Sequence, residues 1–168
     1  MLIGRPSTNL AVPGTVILLC LLVTFPARTA TLYLTRHYEK TAGPNPGLTE
    51  QGARRAENLA TYMTRQSIGK IFSTPYKRTT DTARPTSVIT KTPITHYDPS
   101  KLQDLADSVS DSHHNVLIVG HSNTTPQLIK LLGGPVVVIK EDDYGVLYKI
   151  EVGKDKDRFS QTTIPVPN

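Results

Sequence analysis

A chain of 168 residues with 38% hydrophobic residues, no Trp and one Cys has room for one globular domain around one core. That composition excludes a disordered chain, a collagen-like chain and a disulfide-built scaffold. The formal charge is +5, but no run of five or six basic residues occurs, which argues against nucleic acid as a partner.

Residues 1–30 differ from the rest. They contain no Asp or Glu, place Arg5 near the start and run apolar from Thr15 to Phe25 before the small residues Ala27, Thr29 and Ala30. This pattern reads as a secretory signal peptide, with residues 31–168 as the exported domain, periplasmic or secreted. The apolar run is shorter than the roughly 20 residues of a spanning helix, so no stable membrane insertion is expected after leader removal. An N-terminal membrane anchor is the alternative. Losing Arg5 and Arg28 with the leader takes the formal +5 to +3. Cys20 sits in the same run, so the leaderless chain has no thiol nucleophile, thiolate metal site or disulfide.

From Thr31 onward strand-like and helix-like segments alternate. Thr31 to Thr35 predicts a strand, followed by a turn-rich loop with Gly43, Pro44, Asn45, Pro46 and Gly47. Thr49 then caps a helix with Ala53, Ala56, Leu59, Ala60 and Met63 on one face. Lys70 to Thr74 predicts a second strand, and Tyr76 to about Ile89 a helix kinked or interrupted at Pro85. Pro93 to Tyr97 predicts a third strand, and Leu102, Leu105, Ala106 and Val109 a helical face. Asn115 to Gly120 is a near-continuous apolar run, as expected of a central strand buried on both sides. A helix from about Thr125 to Leu132 stops at Gly133 and Gly134. The tail reads as a terminal hairpin around "GKDKD". The order predicts an α/β fold: a three-layer α/β/α sandwich with a mostly parallel central sheet and no second domain.

In such a sheet the ligand sits beyond the carboxyl ends of the strands, so the strand exits are where chemistry is sought. Arg36 and His37 follow the first strand. A neutral imidazole attacks phosphorus if the phosphoryl oxygens are neutralised, and arginine suits that task because its planar fork binds two oxygens at once. Arg78 falls in the first turn of the helix after the second strand, where it can point back to the same mouth. His121 follows Gly120 directly, with Ser122, Asn123 and Thr124 as donors or caps. Its ordinary pKa allows it to be charged near neutrality. Lys77 reads as a solvated lysine, and His113 and His114 as a solvated turn.

These elements together resemble the histidine phosphatase superfamily, which includes the phosphoglycerate mutases. The opening Arg-His motif is Arg36-His37, and the Leu-Thr-x-x-Gly element is Leu48 to Gly52. Ser73, Arg78, Thr82 and Ala83 supply the next pattern, and Gly120-His121-Ser122 the second histidine. The resemblance implies a phosphoglycerate mutase-like fold in a small, cap-less form. It implies that His37 accepts the phosphoryl group while Arg36, Arg78 and His121 hold its oxygens, with Ser122 beside them. No metal and no cofactor are implied, and the partner is a small phosphorylated substrate.

Two positions depart from the usual pattern. Tyr38 replaces a glycine after the motif histidine, and either narrows the pocket or packs beside it. Glu39 is expected to order Arg36 or Arg78 through an ion pair and so to belong to the substrate-binding set. The larger members protonate the leaving group with a carboxyl after the next strand, a place held here by Asp98. Asp98 is therefore the candidate general acid, although an Asp before Pro is also a turn former. Asp104, Glu39 and the pair Asp142-Asp143 compete for that role. The reading is a metal-independent phosphatase acting on a phosphate monoester. A phosphohistidine protein phosphatase and a non-catalytic phosphate-binding domain are the alternatives.

Overall fold

Two apolar strands with side chains buried on both faces need helices above and below them. In the computed structural model, which describes residues 30–152 and 158–166, β1 (Ala30–Arg36) and β4 (Asn115–Gly120) are those strands. Leu32, Leu34, Val116 and Ile118 enter one core, and Tyr33, Leu117 and Val119 enter the other. The first core is closed by α3 (Leu102–Ser110) and α4 (Thr124–Leu131), through Leu105, Ala106, Val109, Leu128 and Ile129. The second is closed by α1 (Glu50–Met63) and α2 (Lys77–Thr90), through Ala56, Leu59, Met63 and Ala83. The fold is thus a three-layer α/β/α sandwich, as the sequence predicts.

Four strands, β1, β4, β2 (Ile68–Ser73) and β3 (Ile94–His96), are parallel. On the other side of β1 lie β5 (Val146–Val152) and β6 (Arg158–Thr163), an antiparallel pair. The order across the sheet is β3-β2-β4-β1-β5-β6. Because β5 runs against β1, its first residue lies at the carboxyl edge, and the segment leading into it has to return there. The leader reading, residues 1–30, lies outside the described residues except for Ala30, which starts β1, and the "GKDKD" turn, residues 153–157, lies outside them altogether. Among the described residues no helix is long and apolar enough to cross a membrane.

Two motif segments have clear physical reasons. Thr49 caps α1 by accepting the Gly52 N–H at 3.1 Å, and its own N–H reaches the Glu39 carbonyl at 2.8 Å. A side chain at Gly52 would collide with the Glu39 backbone, so glycine here lets α1 lie directly against the segment after His37. Thr82 Oγ1 accepts the Tyr38 N–H at 3.1 Å and donates to the Arg78 carbonyl at 2.8 Å, tying α2 to the same segment.

One expectation about α2 is corrected. The helix is not interrupted at Pro85 but runs unbroken to Thr90 and ends at Lys91, whose φ is +56°. Pro85 removes one helical hydrogen bond, yet Thr82, Ala83 and Thr86 around it are buried. Their packing holds both halves of the helix in place.

Candidate active site

The carboxyl edge of the parallel strands is level. Arg36 pairs with Gly120, Val119 with Ser73, and Ser73 with His96. His37 extends the ladder by one more bond, from its N–H to the Gly120 carbonyl at 2.9 Å. Gly120 is needed there for space: a Cβ would lie 2.9 Å from both Thr124 Oγ1 and Tyr97 OH. The sequence instead suggested a tight backbone turn, but Gly120 shows no positive φ.

The segments leaving this edge enclose an open cleft of about 470 Å³. Buried Arg36, His37 and His121 and half-buried Arg78 form its floor, so all four predicted residues come together. The two imidazoles are 5.5 Å apart between ring centroids. Tyr76 lies edge-on to His121 at 5.1 Å, and the Arg78 guanidinium lies 4.7 Å from the same tyrosine ring.

Protonation follows from partners. His37 Nδ1 is 2.8 Å from the Tyr38 carbonyl, which only accepts, so Nδ1 carries the proton and Nε2 keeps its lone pair. Burial, and then the charges of Arg36 and Arg78 against the pull of the Tyr38 carbonyl, push the His37 pKa down to about 3. His121 Nδ1 sits 3.4 Å from Arg78 Nη2, and its Nε2 lies 3.0 Å from Thr74 Oγ1. A guanidinium only donates, so the His121 proton is on Nε2 and is given to Thr74. Burial first, then Arg78 and Arg36, push the His121 pKa down to about 4. His121 is therefore neutral near pH 7, not charged as its ordinary pKa allows.

The positive charge comes from the two arginines. Arg36 is 2% exposed, and its Nη1 donates to the carbonyls of Lys140 at 2.6 Å and Glu141 at 2.9 Å. Its guanidinium carbon lies 4.4 Å over the Tyr144 ring. Arg36 Nε and Arg78 Nε are both buried and have no hydrogen-bond partner among the described residues. Both guanidinium groups line the cleft, where they offer a bound oxyanion charge and N–H donors.

Other predicted residues lie elsewhere. Tyr38 is completely buried among Ala56, Leu59, Met63 and Ala83, so it packs beside the cleft instead of narrowing it. Glu39 does not pair with Arg36 or Arg78; its carboxylate takes a forked bond from Arg55 at 2.5 and 3.1 Å. Arg55 also donates to the Ile164 carbonyl at 2.6 Å, so this pair ties α1 to the end of the chain. The reason is geometric: after His37 the chain turns under α1, carrying Glu39 away from the cleft floor.

Asp98 is likewise corrected. It is exposed and absent from the cleft lining, and its Oδ1 accepts from the Ser100 N–H at 2.8 Å and hydroxyl at 2.7 Å. Those bonds lower its pKa, and Asp98 stands outside the cleft, where no bound phosphoryl group would raise it. It is the turn former. His113 and His114 precede β4, about 20 Å from His121 at roughly 3.3 Å per residue. Among the described residues no group of three or more His, Cys, Asp or Glu side chains could hold a metal ion.

Ser122, at the rim, donates to Glu141 Oε1 at 2.9 Å. Glu141, Tyr76 and Tyr144 were not singled out from the sequence. The signal for Glu141 and Tyr144 is topological, since they lie on the segment that returns to the carboxyl edge before β5.

Residues 32–99 match the family model of the histidine phosphatase superfamily (branch 1), a stretch that holds Arg36, His37 and Arg78. No curated protein matches the sequence at a significant level. Among solved structures, the protein histidine phosphatase SixA complexed with tungstate is similar at a TM-score of 0.62 and 14% identity, over 79% of this chain and 96% of that one. The mycobacterial glucosyl-3-phosphoglycerate phosphatase gives 0.63 and 13%, over 81% and 98%. YhfR of Bacillus stearothermophilus gives 0.59 and 19%, over 80% and 96%. At such identities the likeness speaks for the fold.

Proposed function

We propose that the chain is a histidine phosphatase, as the match of residues 32–99 to that superfamily's model supports, and that it hydrolyses phosphate monoesters through a phosphohistidine on His37, without a metal. The observation that carries this reading is the tautomer of His37. The Tyr38 carbonyl takes the Nδ1 proton, so Nε2 is an unprotonated nucleophile between two guanidinium groups. In the first step Nε2 bonds to phosphorus and the ester oxygen leaves with its electron pair. Arg36 and Arg78 hold the equatorial oxygens, where charge accumulates. Water then attacks the phosphohistidine and frees Nε2.

Small phosphate esters are the substrate class we favour, since the cleft is open and polar at its rim, with Lys40, Ser122 and Asn123. A phosphohistidine-bearing protein is the second substrate class, and the SixA likeness is its only support. A non-catalytic phosphate-binding domain fits less well, because binding alone does not require a fixed neutral imidazole.

Trapping decides the chemistry. Quenching the enzyme in alkali during turnover of an aryl phosphate is expected to leave phosphate on the peptide that contains His37. Turnover with the phosphate on another residue, or turnover abolished by a chelator, would overturn the mechanism. The leader-like residues 1–30 further support export of the mature domain. N-terminal sequencing of the protein from its native cell is expected to start near residue 31, and a retained Met1 would favour the anchored alternative.

A further inference from the structure

With Asp98 turned away, the cleft still needs a group to protonate a poor leaving group, and its described lining contains one carboxylate, Glu141. We propose that Glu141 is the proton donor to the leaving group, a catalytic role that rests on the phosphohydrolase reading above.

The argument begins with depth. His37 is 3% exposed and lies at the floor, whereas the Glu141 side chain is 81% exposed and lies at the rim. In a phosphoryl transfer the attacking and leaving atoms are roughly in line across phosphorus. Attack from the floor therefore sends the leaving oxygen toward the rim, where Glu141 stands. Its carboxylate is not left to drift. Ser122 Oγ holds Oε1 at 2.9 Å, and Arg36 Nη2 lies 3.5 Å from Oε2. The backbone beneath it is fixed as well, because the Lys140 and Glu141 carbonyls grip Arg36, and Asp143 closes the turn onto the Lys140 N–H at 2.8 Å.

Charge sets when Glu141 holds its proton. By themselves Ser122 and Arg36 favour the carboxylate. A bound phosphoryl group engages Arg36 and brings negative charge beside Glu141, so both effects now favour the acid. A monoester monoanion carries the proton in with it. As the P–O bond breaks, the electron pair moves to the ester oxygen, and the Glu141 proton neutralises it. The resulting carboxylate then takes a proton from the water that attacks phosphohistidine and passes it to the phosphate, which leaves as the monoanion.

The competing account is that Glu141 merely orders Arg36. Glu141→Gln separates the two, because it keeps the main-chain carbonyl and most of the side-chain shape while removing the acid. Wild type and variant are compared on a series of phosphate monoesters from nitrophenyl to simple alkyl leaving groups. The expected result is a loss of less than about threefold on nitrophenyl phosphate and about 100-fold or more on alkyl phosphates. A positioning role would reduce every member of the series by the same factor, and that uniform loss, or no loss at all, would overturn the proposal. Asp98→Asn, run beside it, is expected to leave the whole series within about twofold, because Asp98 is exposed, bonded to Ser100 and outside the cleft lining. A leaving-group-dependent loss in Asp98→Asn would likewise overturn the assignment to Glu141. If wild type hydrolyses no monoester, it is the phosphohydrolase reading that has failed.

Discussion

Replacing His37 by Asn is expected to lower kcat for an aryl phosphate by a factor of about 10⁴ or more, as loss of a covalent nucleophile does elsewhere. Among the residues lining the cleft, His37 is the imidazole with a free lone pair, since His121 Nδ1 faces Arg78 and its Nε2 faces Thr74. Asn keeps an amide that can still donate to the Tyr38 carbonyl, and it does not titrate, so the buried site loses little shape. Anion binding should survive, because the arginines that provide it are untouched. Inorganic phosphate is expected to raise the Tm of wild type and His37→Asn alike. The same residue fixes the pH profile. Its pKa is lowered, so the reactive neutral form is full above the ordinary value of 6.5 and is lost only as pH falls toward about 3. With substrate ionisation divided out, kcat/KM should pass through 6.5 without an acid limb and fall only near the His121 value of about 4. Appreciable activity in His37→Asn, or an acid limb at 6.5, would remove His37 from the mechanism.

What the sequence could and could not reveal divides along a physical line. Arg36, His37 and His121 were legible because Arg36 ends an apolar strand and each histidine directly follows one, and a strand end fixes where these residues emerge. Arg78 was legible because a helix start at the same edge leaves few directions for a long cation. Thr49, Gly52, Thr82 and Ala83 carried the family pattern for local reasons now visible: a cap, a close backbone approach and two buried helix contacts. Tyr38 was left open between two orientations, and Glu39 was misjudged, because the chain leaves strand geometry after Arg36. Residue spacing then no longer says which way a side chain points. Asp98 sits at the expected strand exit, but Ser100 satisfies it locally and Pro99 bends the chain there. Glu141 has no local signature at all. Its relation to Arg36 is made across the sheet, by an antiparallel strand that brings a distant loop home.

That loop makes Arg36 the more demanding of the two arginines, and Arg36→Lys is expected to lower kcat/KM about 10²- to 10³-fold. The substitution keeps the charge. It loses the planar fork, and with it the separation of duties within one side chain. Nη1 holds the Lys140 and Glu141 carbonyls, the ring of Tyr144 lies against the guanidinium face, and Nη2 lies on the side of Glu141, at the cleft. An ammonium concentrates its donors at one point and cannot serve the loop and a phosphoryl group together. Arg78 differs, since among the described residues its guanidinium donates to no backbone carbonyl and meets Tyr76 and His121 instead. Arg78→Lys should therefore cost activity without loosening the loop. The measurement is paired: kinetics for both variants, and hydrogen exchange over residues 139–145. Arg36→Lys should show lower activity together with faster exchange in that segment, whereas Arg78→Lys should show lower activity alone. Equal exchange in both variants would mean that the loop stands without Arg36. Glu141 would then be positioned by Ser122 and its own turn, and not by the arginine that binds the phosphoryl group.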